Sequence, residues 1–240
     1  MKEVVAGVDI GGTNTMIGFV DADGVIHAEG RLSTPDYAFA DDFVIALDAK
    51  LKEMVAENSG LKLIGIGIGA PNANFNKGTI ELAPNLRWKG IIPLVRITEK
   101  LTGLKTRITN DANAAALGEM IFGAAKGVKD FIILTLGTGL GSGIVVDGEV
   151  VYGHTGFAGE LGHMTVVEEA GCADAGAAAV LKHMHQPQGW SVQFYHCSAT
   201  AVMRACCGNS GAVRSPHGGS LKPRRPAISS LRKLLTRPPG

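Results

Sequence analysis

The sequence predicts an α/β protein with a mixed sheet and two lobes, and three observations carry that expectation. Strand-like and helix-like segments alternate along the first half. Two glycine–threonine turns each lead into a β-hairpin, which suggests a duplicated fold. An acidic residue follows a short strand at the opening of a helix.

Residues 4–10 form a β-branched run ending in Asp9-Ile10-Gly11-Gly12-Thr13. A second apolar run, 15–20, leads to the turn Asp21-Ala22-Asp23-Gly24 and a third run, 25–32. Turn chemistry at each corner makes this an antiparallel three-strand meander. Residues 40–58 place Phe43, Leu47, Leu51, Met54 and Val55 at helical spacing, and Gly60 ends that stripe. Residues 61–68 are the fourth strand, so strands, a crossover helix and a further strand give a mixed sheet.

The segment 69–85, from Gly69-Ala70-Pro71-Asn72 to Ala83-Pro84-Asn85, is polar and holds only a short strand-like stretch, 79–82. Asn carboxamides donate and accept, which suits a ligand bearing many hydroxyls. Asn and Pro are equally ordinary loop residues. Residues 105–108 read as a strand and 114–122 as a helix, joined by Thr109-Asn110-Asp111-Ala112-Asn113. Such a corner lies at a sheet's carboxyl edge, where α/β proteins bind ligands. Taken alone, the segment reads more simply as a helix N-cap at Asn110 or Asp111.

Residues 131–136 form a buried strand running into Gly137-Thr138-Gly139-Leu140-Gly141-Ser142-Gly143. The spacing imitates a dinucleotide fingerprint, but that motif needs a helix next. A hairpin follows instead (144–146, the turn Asp147-Gly148, then 149–152), which excludes the Rossmann reading. Glycine turns of this kind let backbone N–H groups and a hydroxyl approach phosphate oxygens. Asp9, just ahead of the first turn, could hold Mg²⁺ through water, as magnesium prefers a carboxylate with waters and phosphates. The segment from Gly153 to His163 is dense in glycine, which implies tight backbone packing around Glu160 and His163.

At 240 residues the chain is long enough for one large domain or two modest ones. No apolar run is long enough to span a membrane, and residues 1–8 lack a secretory core, so a cytoplasmic protein is expected. The net charge of +1 hides an asymmetry. Residues 171–240 hold nine of the 23 basic residues and, in Asp174, one of the 22 acidic ones, so an acidic body carries a basic tail. Cys172, Cys197, Cys206 and Cys207 all lie in that tail, with neither disulfide-framework nor zinc spacing.

Together, Asp9-Ile10-Gly11-Gly12-Thr13, Asn110-Asp111-Ala112-Asn113, Gly137-Thr138-Gly139 and Gly159-Glu160-Leu161-Gly162-His163 resemble the ROK family of bacterial sugar kinases and sugar-responsive repressors. The resemblance spans residues 1–169 and looks closest to glucokinases and acyl-hexosamine kinases. It implies the actin/hexokinase-like (ribonuclease H-like) ATPase fold, with ATP and sugar meeting between two lobes. The lobes would be an N-terminal one, 1–110, and the start of a second, 111–169. Asp111 would be the general base taking a proton from a sugar hydroxyl. Gly69, Asn85, Asn110, Glu160 and His163 would lie on the sugar side. Asp9, Gly11, Gly12, Thr13, Gly137, Thr138 and Gly139 would lie on the ATP and Mg²⁺ side. Repressor members carry a DNA-binding segment ahead of the first motif, so a kinase is favoured here; the family also implies a homodimer.

After His163 the family continues with Cys-x-Cys-Gly-x-x-Gly-Cys-x-Glu, whose thiolates join the His around structural Zn²⁺. This chain lacks that motif, so His163 would lose its zinc partners. Reading codons 170–190 from their third bases permits the missing motif, with cysteines at junctions 172/173, 174/175 and 179/180. Residues from about 170 onward are therefore expected to be a frame-shifted translation, with 170–240 a disordered basic tail. An incomplete second lobe would leave a hydrophobic face over 134–146 open and would impair activity. Arg224, Arg225, Arg232 and Lys233 also motivate a nucleic-acid-binding reading. It ranks last, because an out-of-frame tail would be basic by accident.

Overall fold

In the computed structural model, which describes residues 1–136, 140–164 and 200–203, β1 (Lys2–Ile10) is the middle strand of a five-stranded sheet. Val4 to Val8 are all buried, the unbroken apolar run of a strand covered on both faces. β2 (Asn14–Val20) and β3 (Ile26–Ser33) follow as the expected antiparallel meander. α1 (Ala40–Glu57) buries Phe43, Val44, Leu47, Leu51 and Met54, and β4 (Leu61–Ala70) returns parallel to β1.

The polar segment after β4 folds into a small three-stranded sheet of β5 (Ala73–Asn74), β6 (Thr79–Glu81) and β7 (Ile91–Ile92). A helix not anticipated from the sequence, α2 (Leu94–Thr102), starts after Pro93 and stops at Gly103, which caps it in the left-handed conformation. β8 (Thr106–Asn110) pairs parallel to β4 and completes the order β3-β2-β1-β4-β8.

α3 (Asp111–Phe122) begins without a connecting loop. The open corner expected over residues 109–113 is corrected: β8 runs through Asn110 and the helix starts at the next residue. The physical reason is the cap, since the Asn110 side chain accepts a hydrogen bond from the Ala112 N–H at 2.8 Å. α3 is rich in alanine, and Ala112 to Gly118 are all buried. It packs against β4 on one side and β9 (Phe131–Leu136) and β10 (Leu140–Val146) on the other.

β11 (Glu149–Val150) and β12 (Thr200–Met203) flank those strands in a second, antiparallel sheet of order β11-β10-β9-β12. Of the face expected to stand open over 134–146, the side carrying Val145 is buried under α3, whereas Leu134, Leu136 and Ile144 on the other side are half-buried and Val146 is exposed. Two apolar cores result, one drawn from residues 4–108 and one from 114–150. No described helix is long and apolar enough to cross a membrane. Apart from β12, which the sequence reading did not anticipate, the expectations for 170–240 lie outside the described residues, the four cysteines and the basic cluster included.

Candidate active site

Three parallel strands end at one edge, and their register aligns the expected residues. Asp9 on β1 pairs with Gly69 on β4, and Gly69 pairs with Thr109 on β8. Neighbouring strands lie about 4.8 Å apart, so the row from Asp9 to Thr109 spans roughly 10 Å. Asp111 follows two residues later, at the first helical position of α3. Gly69 sits where α3 comes down on the sheet: a Cβ there would lie 3.4 Å from Ala114 Cβ.

Asp111 perturbs Asp9. Burial first, and then the negative charge of Asp111, push the Asp9 pKa up to about 6. Burial also raises Asp111, against the lowering effect of the hydrogen bond from the Ala112 N–H at 2.8 Å. Asp111 is nevertheless exposed by surface area. Asp111 thus keeps one side open to water while the protein around it raises its pKa. Among the described residues neither carboxylate has a cationic partner. A raised carboxylate pKa at the carboxyl edge of a sheet marks a candidate base.

The turn after Asp9 closes as a hairpin, with the Gly11 N–H donating to the Asn14 carbonyl at 3.0 Å. Gly12 and Thr13 are exposed at its tip. A Cβ on Gly12 would lie 2.8 Å from the Asn85 backbone oxygen, so the turn and the Asn85 loop meet where only glycine fits. Asn85 is itself exposed beside that turn. Asn110 splits its functions: its oxygen caps α3, while its NH₂ end donates to no described residue. The second glycine–threonine turn, Gly137, Thr138 and Gly139, lies outside the described residues.

Glu160 precedes and His163 ends a single 3₁₀ turn, Leu161–His163, with Glu160 Oε2 3.9 Å from His163 Nε2. Both are exposed. This corrects the expectation of tight packing around them: the tight packing falls on Gly156 and Gly159 before them and on Gly162 between them. Ser142, buried on β10, donates through Oγ to the Gly159 carbonyl and accepts from the Leu161 N–H at 3.4 Å. Asn74, fully buried on β5, donates to the Thr155 carbonyl at 2.9 Å. Phe75 stacks on Tyr152 with ring centroids 4.2 Å apart.

Sequence reasoning overlooked Ser142 and Asn74 as organisers of this loop. A serine between two glycines of a strand was the only signal for the first. The second was concealed among the asparagines read as ligand contacts, and Asn72 proves structural too, donating to the Glu81 carbonyl at 3.1 Å.

Asp9 fits a magnesium site, being a carboxylate of raised pKa beside a glycine turn without a basic partner. Among the described residues no three His, Cys, Asp or Glu side chains gather, and His163 has Glu160 alone beside it.

A mixed sheet whose first hairpin turn stands beside two carboxylates, with a second sheet on the far side of α3, defines the actin/hexokinase-like ATPase fold. The chain belongs to the ROK family, whose model matches residues 5–213. Glucokinase from Streptomyces coelicolor is 38% identical over 174 residues, 71% of this chain and 53% of the relative. A ROK family glucokinase from Streptomyces griseus, solved in complex with glucose and AMPPNP, is 39% identical with a TM-score of 0.60, covering 68% of this chain and 51% of that one. A putative xylose repressor from Caldicellulosiruptor is 41% identical over 137 residues, 57% of this chain and 34% of the relative. The chain spans about half the length of the glucokinases it matches.

Proposed function

We propose that the protein is an ATP-dependent sugar kinase that phosphorylates a hexose, glucose or an N-acyl-hexosamine, with Asp111 as general base. The observation that carries this reading is the pair Asp9 and Asp111, both with raised pKa, at one sheet edge beside a glycine turn.

Phosphoryl transfer asks a protein mainly for positioning and charge neutralisation. Asp111 Oδ2 accepts the proton of the attacking sugar hydroxyl as its oxygen bonds the γ-phosphorus and the bond to the ADP oxygen breaks. A raised pKa makes Asp111 a stronger base than an ordinary carboxylate. The turn Gly11-Gly12-Thr13 and its counterpart Gly137-Thr138-Gly139 would hold phosphate oxygens through N–H groups and hydroxyls. Asp9 would hold Mg²⁺ through water, and the ion would supply neutralisation of phosphate charge. Asn110 through its NH₂, Asn85, Glu160, His163 and the backbone at Gly69 would orient the sugar. The protein would act in the cytoplasm as a homodimer, as the family resemblance suggests.

A second reading, a sugar-binding regulator or inactive binding protein, draws support from the similarity to the xylose repressor. ADP release with glucose, N-acetylglucosamine and N-acetylmannosamine separates the two. The kinase reading expects sugar-dependent ADP release; the regulator reading expects sugar binding without it. Running a version with the cysteine motif restored after His163 beside the 240-residue chain tests the frame-shift reading. Turnover by the restored version alone supports it, and equal turnover by both removes its functional consequence.

A further inference from the structure

We infer that Asn74 is a positioning residue that fixes the loop bearing Glu160 and His163, and through that loop sets sugar affinity; the second half rests on the kinase reading. Asn74 is 0% exposed, and every polar atom of its carboxamide is used. Its oxygen accepts from the Lys77 N–H at 3.2 Å, within its own hairpin. Its nitrogen donates to Glu81 Oε1 at 3.2 Å and to the Thr155 carbonyl at 2.9 Å, 81 residues further along.

Glu81 makes that donor direction unambiguous. Burial would raise its pKa, but hydrogen bonds from Thr79, Lys77 and Asn74 win and lower it, so it stays a carboxylate that can only accept. The carboxamide is therefore oriented with its NH₂ toward Glu81 and the Thr155 carbonyl. On the loop side, Gly156 has φ +87 and its missing Cβ would lie 2.5 Å from Asn74 Oδ1. The loop backbone is seated directly on the carboxamide, in a conformation that disfavours a side chain. Asn76, donating to the Gly153 carbonyl at 3.5 Å, and the Phe75–Tyr152 stack line the same seam.

Seated at Thr155 and Gly156 by Asn74, and at Gly159 and Leu161 by Ser142, the chain has little freedom before Glu160. Ser142 holds it from within its own sheet. Asn74 holds it from the small sheet that follows β4 and packs against β8, so Asn74 sets where the loop stands relative to the Asp9–Asp111 edge.

The test uses Asn74→Asp, which keeps the acceptor for Lys77 but loses the donor and faces a second carboxylate. Gly156→Ala attacks the same contact from the loop side, should the buried change cost folding. Hydrogen exchange of residues 152–163 should accelerate about tenfold in either variant, with β1 unchanged, the scale of one buried hydrogen bond lost. Sugar Kd should rise about tenfold while the Kd of a non-hydrolysable ATP analogue holds. The double variant should be no worse than the poorer single one, as one shared contact requires. Unchanged exchange in both variants overturns the positioning role. Faster exchange with unchanged sugar affinity overturns the link to the sugar. A wild-type chain that binds no hexose overturns that link together with the kinase reading, while exchange still decides what holds the loop.

Discussion

The carboxylate edge and the Gly153–His163 loop are built by different means. Asp9 and Asp111 are placed by backbone: strand register sets the first, and an N-capped helix start sets the second. Glu160 and His163 are placed by side chains reaching in from two sheets, Asn74 on one and Ser142 on the other. A backbone-set position survives most substitutions around it, whereas a side-chain-set position moves when one partner changes. On the kinase reading, the reacting groups would be held rigidly and the sugar contacts would remain adjustable.

The comparison breaks if the edge proves dispensable. Asp111→Asn retains an oxygen for the Ala112 N–H but cannot take a proton, so ADP release should fall by about 10²–10⁴-fold. Melting temperature should hold, and full turnover in this variant would remove Asp111 as base. Gly12→Ala comes next: its Cβ meets a backbone oxygen at 2.8 Å, which cannot swing aside. Denaturant unfolding should show a loss of about 1–3 kcal/mol, with a higher KM for ATP.

Acid offers a gentler probe. Turnover should drop as pH falls through about 6, where Asp9 takes up a proton and weakens as a magnesium site, with Asp111 shifted the same way. Stability behaves oppositely at that edge. Asp9 has a folded pKa above its ordinary 3.8, so the folded state binds the proton first and gains slightly as pH falls from about 6 toward 3.8. Asp21 has the reverse sign. Burial would raise it, but hydrogen bonds from Lys2, His27, Val25 and Asp23 hold it far below the usual carboxylate range. Its contribution is complete above 3.8 and is lost only in strong acid. Melting curves and ADP release at pH 5 and 7 should therefore show a folded, slow enzyme at pH 5; unfolding there would contradict both assignments.

The smallest effect sharpens the contrast. Glu160→Gln should weaken sugar binding by about tenfold, one charge-assisted hydrogen bond, by titration calorimetry. Because Glu160 is exposed, stability should change by no more than about 0.5 kcal/mol.

Legibility in the sequence followed the same division. The meander, α1, β4 and β9 were readable because period and turn residues act locally, at Asp21 to Gly24 and at Gly60 for example. α2 was not legible, although Pro93 and Gly103 bracket it, because it is nine residues long and its β-branched Val95, Ile97, Thr98 and Thr102 locally favour a strand. Asp9, Gly12 and Asp111 were readable as candidates because each stands at an element boundary. Asn74 and Ser142 were not, since their importance comes from partners 81 and 17 residues away. β12 likewise depends on pairing with a strand more than 60 residues earlier, which no local pattern announces.

The salt bridge between Lys2 Nζ and Asp21 Oδ2, at 2.5 Å, has a consequence for engineering. It ties the start of β1 to the sheet end opposite Asp9. Seven residues of strand separate Lys2 from Asp9, roughly 23 Å at the usual rise. A fluorophore, surface tether or fused module attached ahead of Lys2 would emerge at that distance from the carboxylate edge, clear of the reaction, yet on the strand that carries Asp9.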